Sequence, residues 1–275
     1  MLKKNAEIIL EKLSPDDIVL DIGGWAQPFN RANYVLDIMP YETRGFFGNL
    51  GPEKEFFSKT TWIRHDISSK TPLPFGDKEI DFVICSHTLE DIRDPVHLCS
   101  EIIRIGKKGY IEVPSRIVES TKGLEGKKYV GYYHHRWLVD IGPSELTFRF
   151  KTQLLNKSWQ YRVPKSYLKK VPPDLQVSWM FWEDFFDYKE IIQISELLVA
   201  EELKDFIKSK NIYPRFYYSV GDIVHNVNRS ASRLIKHILA RSVLLRTYIE
   251  KKRGRPLHLG DTESFWQDIQ EIHSK

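Results

Sequence analysis

Two aspartates separated by a glycine pair are the residues of this sequence best suited to hold a ligand. Asp21 lies near the end of an apolar run and precedes Gly23 and Gly24, and Asp37 lies at the end of the next apolar run, sixteen positions later. Glycines let a backbone approach a ligand closely, and an acid at the end of the following strand can accept hydrogen bonds from ribose hydroxyls. The spacing therefore predicts a nucleoside site.

A second group of residues suited to chemistry lies in the aromatic run 132–137, where His134 and His135 are adjacent. A free imidazole has a pKa of about 6.5, which makes it a natural base for a proton on an oxygen nucleophile. Tyr133 could form a pocket wall, and Arg136 could hold an anionic group. Neighbouring residues of an extended segment face opposite ways, so we expect one histidine to face the site. An aromatic-rich turn that packs on the sheet is the alternative.

Metal binding is not expected from these patterns. Neither a carboxylate cluster nor a His-x-x-x-His spacing accompanies the histidine pair. The chain has two cysteines, Cys85 and Cys99, which argues against a disulfide framework or a zinc ribbon and fits a reducing cytosol.

The elements that must position these residues follow from hydrophobic periodicity. Strands are predicted at 18–22, 34–38, 61–66, 80–85 and 110–114, helices at 4–13 and 94–105, and a turn at 107–109. Strands that alternate with helices through short connections are typical of an open, mostly parallel sheet with helices on its faces. Pro28 permits at most a short helix between the first two strands.

The residues after the second strand make the pattern more specific. A third strand ends at Asp66, and the motifs that follow are Leu73-Pro-Phe75, Ile80-Asp-Phe-Val-Ile-Cys-Ser-His-Thr-Leu-Glu90, Asp94-Pro95, Glu101-Ile-Ile-Arg104 and Gly109. In this order, residues 15–115 resemble the class I S-adenosylmethionine-dependent methyltransferases, in particular the type 11-like subgroup that methylates small molecules. The resemblance implies a Rossmann-like fold, S-adenosylmethionine as the cofactor and methyl transfer as the activity.

The resemblance also implies cofactor contacts at the carboxyl ends of the first four strands. The positions are Asp21, Gly23, Gly24, Asp37, Ile38, Asp66, Ile67, Ser86 and His87. Asp37 would bind the ribose hydroxyls, Asp66 would read the adenine edge, and Ser86 and His87 would lie beside the sulfonium. Asp66 could instead cap a turn, and His87 could instead pack or bond to the backbone.

Two residues depart from the family pattern. Trp25 stands where a glycine is common, so its side chain either points away or forms a wall of the cofactor pocket. Asp91 stands where the family has a histidine after Leu-Glu, and we interpret this loss as minor. The connection between the first two strands is also shorter than the family's full helix.

The chain after Pro114 is interpreted as additions to the core domain. A methyltransferase domain is predicted over 1–195, with an aromatic-rich acceptor-side insertion at 115–175, and a helical extension over 196–275. Further strands are expected at 146–151 and 176–182, and further helices at 195–209 and 230–252.

Charge is distributed unevenly along the sequence. The net charge is +4, and the segment 229–255 carries nine Lys or Arg against Glu250 alone. This segment predicts a basic amphipathic helix that exposes a solvated face, lies on an anionic membrane surface, contacts nucleic acid or joins an oligomer. Because the remainder is mildly acidic, nucleic acid is not the partner that the charge favours.

The prediction for the whole chain is a cytoplasmic methyltransferase that acts on a small-molecule or glycan-type acceptor at oxygen. No apolar run approaches the length of about eighteen residues that marks a transmembrane helix, although peripheral membrane contact through 229–255 stays open. An RNA or protein methyltransferase is one alternative, favoured by the basic segment. A catalytically inactive binding protein is another, favoured by Trp25.

Overall fold

The computed structural model describes residues 1–213. Residues 1–212 form one compact unit. The predicted helix at 230–252 and the basic segment 229–255 lie outside the described residues, and the predicted domain boundary at 195 stays a prediction. Within residues 1–213, no helix combines the length and the apolar character that crossing a membrane requires.

A six-stranded sheet forms the centre of the unit. Its strands are β1 (Val19–Ile22), β2 (Tyr34–Asp37), β3 (Trp62–Arg64), β4 (Ile80–Ser86), β5 (Gly106–Pro114) and β10 (Val177–Glu183). Their order is β10-β5-β4-β1-β2-β3, and β10 alone pairs antiparallel, with β5. The predicted open, mostly parallel sheet is therefore confirmed. The chain order reverses between β1 and β4, and open α/β sheets bind ligands at the carboxyl ends of the strands at such a point.

Helices cover both faces of this sheet and bury its apolar strands. Helix α1 (Lys3–Lys12) places Ala6 and Ile9 against Phe82 and Tyr110 on one face. Helix α2 (Pro95–Ile105) places Leu98, Ile102 and Ile105 in the core of the other face. Asp94 fixes the start of α2, because its Oδ1 accepts a hydrogen bond of 3.0 Å from the His97 amide and Pro95 needs no donor at that position.

The chain after β5 folds into smaller elements. They are α3 (Arg116–Glu119), β6 (Thr121–Lys122), β7 (Trp137–Ile141), β8 (Glu145–Phe150), α4 (Leu154–Lys157), β9 (Val163–Pro164), α5 (Lys165–Leu168), β11 (Asp187–Ile191) and α6 (Glu196–Ser209). Three strands form a sheet of order β11-β8-β7, and β6 pairs with β9. The buried face of α6, with Val199 and Leu203, packs with Val130, Leu138 and Leu155.

The predicted turn at 107–109 is wrong, because these residues lie inside β5. The strand begins at Gly106, directly after α2. A side chain at Gly109 would place its Cβ 2.2 Å from the Val83 carbonyl oxygen, and one at Gly106 would lie 2.6 Å from the Val83 side chain. These glycines therefore permit close strand packing rather than a turn. The other predicted strands and helices within residues 1–213 are present with small shifts at their ends. The elements that were not predicted are the strands β6, β7, β9 and β11 and the short helices α3, α4 and α5.

Candidate functional site

A cavity of about 650 Å³ opens at the carboxyl ends of β1, β2 and β4. This volume lies in the range of about 300–1,000 Å³ that is usual for small-molecule sites. Every predicted cofactor position lines it: Asp21, Gly23, Gly24, Asp37, Ile38, Asp66, Ile67, Ser86 and His87. Five further lining residues lie near the histidine pair or belong to it: Asp91, Glu125, Tyr132, His134 and His135. The fold therefore brings the nucleoside pattern and the histidine pair into one cavity.

A more open groove of about 750 Å³, beside Trp137 and Phe150, contains none of the predicted site residues.

Asp21 holds the loop that follows β1. Its Oδ2 accepts a hydrogen bond of 2.9 Å from the Phe29 amide. A Cβ at Gly24 would lie 2.3 Å from the same oxygen, and one at Gly23, whose φ is +75°, would collide with Thr88. The loop can therefore pack this tightly only with glycine at both positions. Burial raises the pKa of Asp21 to about 7, against the effect of the Phe29 hydrogen bond.

Asp37 lies at the end of β2 with room for a ligand. Its Oδ1 accepts a hydrogen bond of 2.8 Å from the Met39 amide, and its Oδ2 accepts one of 3.1 Å from the Trp25 amide. A carboxylate offers about four acceptor positions, so that both oxygens can still accept from hydroxyls in the cavity. Burial raises the pKa of Asp37, although these amides lower it.

Trp25 forms a wall of the cavity, which decides between the two predicted orientations. Its Nε1 donates a hydrogen bond of 2.9 Å to Thr43 Oγ1, and its ring stacks near Phe46 at 6.1 Å. The loop from Gly23 to Asn33 contains no helix, as the position of Pro28 indicated. The Trp25 side chain, held by Thr43 and Phe46, thus lines the side of the pocket where the family has a helix.

Asp66 and Ser86 present further polar atoms at the cavity. Asp66 Oδ1 accepts a hydrogen bond of 2.9 Å from the Ser68 amide. Asp66 therefore caps a turn, as the alternative interpretation held, and it also lines the cavity. Ser86 Oγ is buried and has no hydrogen-bond partner among the described residues. Because buried hydroxyls normally find a partner, this atom fits a position that a ligand would satisfy.

His87 is held between two glutamates. Its Nε2 lies 3.1 Å from Glu112 Oε1, and its Nδ1 lies 3.5 Å from Glu90 Oε1. Burial opposes protonation, but both carboxylates outweigh it and raise the pKa of His87 to about 9. His87 is therefore a cation at neutral pH. Its φ of +53° lies in the left-handed region, which is uncommon outside glycine and places the side chain at the strand end.

Glu112, which sequence reasoning missed, is a fully buried acid in β5. It accepts hydrogen bonds from the Leu2 amide at 3.1 Å, from Asn5 Nδ2 at 3.2 Å and from the Tyr110 hydroxyl. Although burial alone would raise it, the pKa of Glu112 is held at about 2, chiefly through the hydrogen bond with His87. A charged residue in the middle of an apolar strand was the signal that could have revealed it.

The two histidines both line the cavity, so the prediction that one of them faces it is wrong. His135 is nearly buried, with 7% of its side chain exposed, whereas His134 is 44% exposed. Their rings are perpendicular at 86°, with centroids 4.5 Å apart. The reason is that the segment is not extended: it turns at Gly131, whose φ is +62°, and bends at 133–134.

Carboxylates surround the histidine pair. His135 Nδ1 lies 2.6 Å from Glu119 Oε1, and His134 Nδ1 lies 3.3 Å from Glu125 Oε2. Both Nε2 atoms face Asp91 Oδ1, at 3.6 Å from His135 and 3.8 Å from His134. Asp91 is thus the residue that lies between the two rings, a position that the interpretation of it as a minor departure did not anticipate. Its position, where the family has a histidine, was the available signal.

Tyr133 and Arg136, the predicted acceptor contacts, do not line the cavity. Tyr133 is 68% exposed, and Arg136 is exposed while its amide donates a hydrogen bond of 2.7 Å to the Glu90 carbonyl. The bend that turns both histidines inward turns their neighbours outward. Tyr132 takes the predicted aromatic role instead, because it lines the cavity with its ring centroid 4.7 Å from that of His135.

Comparison with protein families gives a match to a methyltransferase domain over residues 26–111. This match confirms the resemblance predicted for residues 15–115, which implies S-adenosylmethionine as the cofactor. The sequence has no match among proteins of curated function.

Solved structures show only remote similarity. An S-adenosylmethionine-dependent methyltransferase of Methanosarcina mazei is 17% identical, covers 49% of this chain and 85% of its own, and has a TM-score of 0.32. One of Mesorhizobium loti is 16% identical over 53% of this chain and 63% of its own, with a TM-score of 0.29. The complex of the Trm112 methyltransferase activator of Haloferax volcanii gives 21% identity over 40% of this chain and a TM-score of 0.30. The chain spans about half the length of two of its matches, 51% of the Haloferax volcanii structure and 52% of a putative methyltransferase of Bacillus halodurans.

Proposed function

We propose that this chain, which carries a methyltransferase domain over residues 26–111, transfers the methyl group of S-adenosylmethionine to an oxygen of a small-molecule or glycan-type acceptor. The cofactor supplies an electrophilic methyl carbon, so the protein must chiefly hold the acceptor in line with it. One observation supports the proposal most: the predicted cofactor positions and a histidine–carboxylate cluster line the same cavity.

The residues present fit the cofactor. The tight loop at Gly23 and Gly24 keeps side chains out of one side of the cavity. Asp37 has acceptor capacity left for two ribose hydroxyls, and Asp66 lies on the same rim for the adenine edge. Ser86 Oγ, which lacks a partner among the described residues, would donate to or accept from the methionine part. His87, as a cation, suits a carboxylate there.

The histidine cluster supports oxygen as the acceptor atom. Nδ1 of His135 lies 2.6 Å from Glu119 Oε1, so that Nε2 is directed at the cavity, and in the neutral ring Nε2 would take the proton of a hydroxyl. Burial lowers the pKa of His135, but the Glu119 hydrogen bond and the nearby carboxylates outweigh it and raise the pKa, so we expect this base to act better as the pH rises. His87 is excluded as this base at neutral pH by its pKa of about 9. Tyr132 provides the apolar surface on which a sugar or an aromatic ring could pack, in the role first assigned to Tyr133.

The compartment and the partners are supported less directly. Both cysteines, Cys85 and Cys99, are buried and free, which supports the cytoplasm as the location. The proposed acceptor is a small molecule because the cluster lies within a cavity rather than on a groove. The segment 229–255, for which membrane or nucleic-acid contacts were predicted, lies outside the residues that the structure describes.

Transfer of a labelled methyl group tests the proposal. Purified full-length chain is incubated with methyl-labelled S-adenosylmethionine and separate pools of glycosides, phenols, amines and RNA. We expect label in a hydroxyl-bearing pool, and we expect His135→Ala to lower kcat by about 10²–10⁴-fold, the usual contribution of a general base. His97→Ala, which changes a half-buried histidine on α2 outside the cavity, serves as the control and should retain activity. Label confined to amines or RNA would favour the alternative acceptor classes.

A further inference from the structure

Three metal-ligating atoms converge at one end of the cavity. Asp91 Oδ1, His134 Nε2 and His135 Nε2 supply them, and the ligand atoms of these three residues lie within 4.8 Å of one another. Two of the separations are 3.6 Å and 3.8 Å, from Asp91 Oδ1 to the two Nε2 atoms. In a tetrahedral zinc site with donors about 2.0–2.1 Å from the ion, the donors lie about 3.3–3.4 Å from one another. The cluster is thus close to the size of a metal site before any side chain moves.

The other nitrogen of each ring is already held. Glu119 Oε1 lies 2.6 Å from His135 Nδ1, and Glu125 Oε2 lies 3.3 Å from His134 Nδ1. Metal-binding histidines almost always donate their second N–H to a carboxylate or a carbonyl, which fixes the tautomer and the ring orientation. Glu119 is itself fixed, because it is 1% exposed and its Oε2 accepts a hydrogen bond of 2.6 Å from Lys151. Both rings therefore present Nε2 to the same point.

The side chains around the three ligand atoms carry an excess of negative charge. Asp91 Oδ1 is inaccessible and accepts no hydrogen bond within residues 1–213, and the same holds for both oxygens of Glu90. Glu90 is 1% exposed and forms an ion pair with His87 at 3.5 Å. With Glu119 and Glu125, these acids outnumber the nearby cations. An excess of negative charge at partly buried side chains is costly, and a dication between Asp91 and the histidines would lower that cost.

We propose that Asp91, His134 and His135 form a binding site for a divalent transition-metal ion, zinc or its first-row neighbours. Two imidazole nitrogens and one carboxylate oxygen suit zinc, cobalt or iron, whereas magnesium and calcium prefer oxygen alone. Three protein ligands leave at least one open position on the ion. The inference rests on the proposed function in one respect: the hydroxyl of the acceptor would occupy that position. The ion would lower the pKa of this hydroxyl, whose proton would pass to water, and His135 would then serve as a ligand instead of the base.

Binding of the metal ion alone tests this site. The full-length chain is treated with a chelator, dialysed and titrated with Zn²⁺ by calorimetry, and with Co²⁺ by visible absorption. We expect one ion per chain and a cobalt spectrum with nitrogen ligands. Asp91→Asn, His134→Ala and His135→Ala should each weaken binding at least tenfold, and Glu119→Gln about ten- to hundredfold, as for other second-sphere partners. His97→Ala is the matched control and should bind as the unchanged chain does.

Two outcomes would overturn the metal site. One is the absence of saturable binding of Zn²⁺ and Co²⁺ at millimolar ion. The other is an equal loss of affinity in His97→Ala and His134→Ala. S-adenosylmethionine binding, measured on the same metal-free samples, separates this failure from that of the proposed function. Asp91→Asn has nearly the shape of the original side chain, so a retained thermal transition in that variant attributes lost binding to the missing ligand.

Discussion

At the scale of single residues, Asp21 couples the charge of the cavity to pH. Its pKa is raised to about 7, first by burial. It is therefore mostly neutral at pH 6 and mostly ionised at pH 8. The ligand proposed for this cavity is a cation at its sulfonium and its ammonium groups, and it binds better beside the ionised form.

We therefore expect the affinity for S-adenosylmethionine to rise about fivefold between pH 6 and pH 8, which corresponds to a fall of about one unit in the pKa of Asp21 on binding. Asp21→Asn should flatten this slope, because an amide keeps the acceptor for Phe29 and cannot ionise. Calorimetry at several pH values measures it. Asp174→Asn, an exposed aspartate in the turn Pro173–Leu175, should leave the slope unchanged, and a slope that survives in Asp21→Asn would contradict this role.

The sequence predicted the residues of the cofactor half of the site better than those of the acceptor half. Strand ends place Asp21, Asp37, Asp66 and Ser86 by a local rule, since parallel strands end at one edge of a sheet. Glu119 and its partner His135 are brought together by a turn whose geometry no periodicity encodes.

At the scale of elements, the turn at Gly131 positions the histidine segment. Its φ is +62°, and a Cβ there would lie 2.5 Å from the Glu119 carbonyl oxygen. Gly126 also has a positive φ, +94°, but a Cβ there meets nothing within 4 Å. Both glycines therefore have a positive φ, but only at Gly131 would a side chain collide with its neighbours.

Replacing each glycine by alanine separates these effects. Gly126→Ala should cost about 1–2 kcal/mol of stability, the penalty of a left-handed residue with a side chain. Gly131→Ala should cost more, because the Glu119 backbone must also move, and it should disturb the contact of His135 with Glu119. Urea unfolding of both variants measures the difference. Equal losses would show that the close approach at Gly131 does not matter.

The loop after β1 shows where a family pattern and a particular chain diverge. Pro28 limited this loop to at most a short helix, and the loop has none. Sequence reasoning could not choose the orientation of Trp25, because that depends on Thr43 and Phe46, which the chain brings back after β2.

At the scale of the whole molecule, alternating periodicities predicted the central sheet and its helices. The turn assigned to 107–109 failed because a lysine–glycine run reads as a turn, whereas Gly106 and Gly109 serve close packing against Val83 and Trp182. Strand β11 escaped prediction because its residues are exposed or half-buried and therefore show no apolar alternation.

The central claim is that this cavity binds S-adenosylmethionine through Asp37, and calorimetry on the full-length chain tests it most directly. We expect saturable binding of S-adenosylmethionine and of S-adenosylhomocysteine. Asp37→Ala should weaken both at least tenfold, since each lost hydrogen bond to a charged group is worth about 1.5–3 kcal/mol. Asp174→Ala should bind as the unchanged chain does. No binding at millimolar ligand, together with no effect of Asp37→Ala, would contradict the account and favour a protein that keeps the fold without the activity.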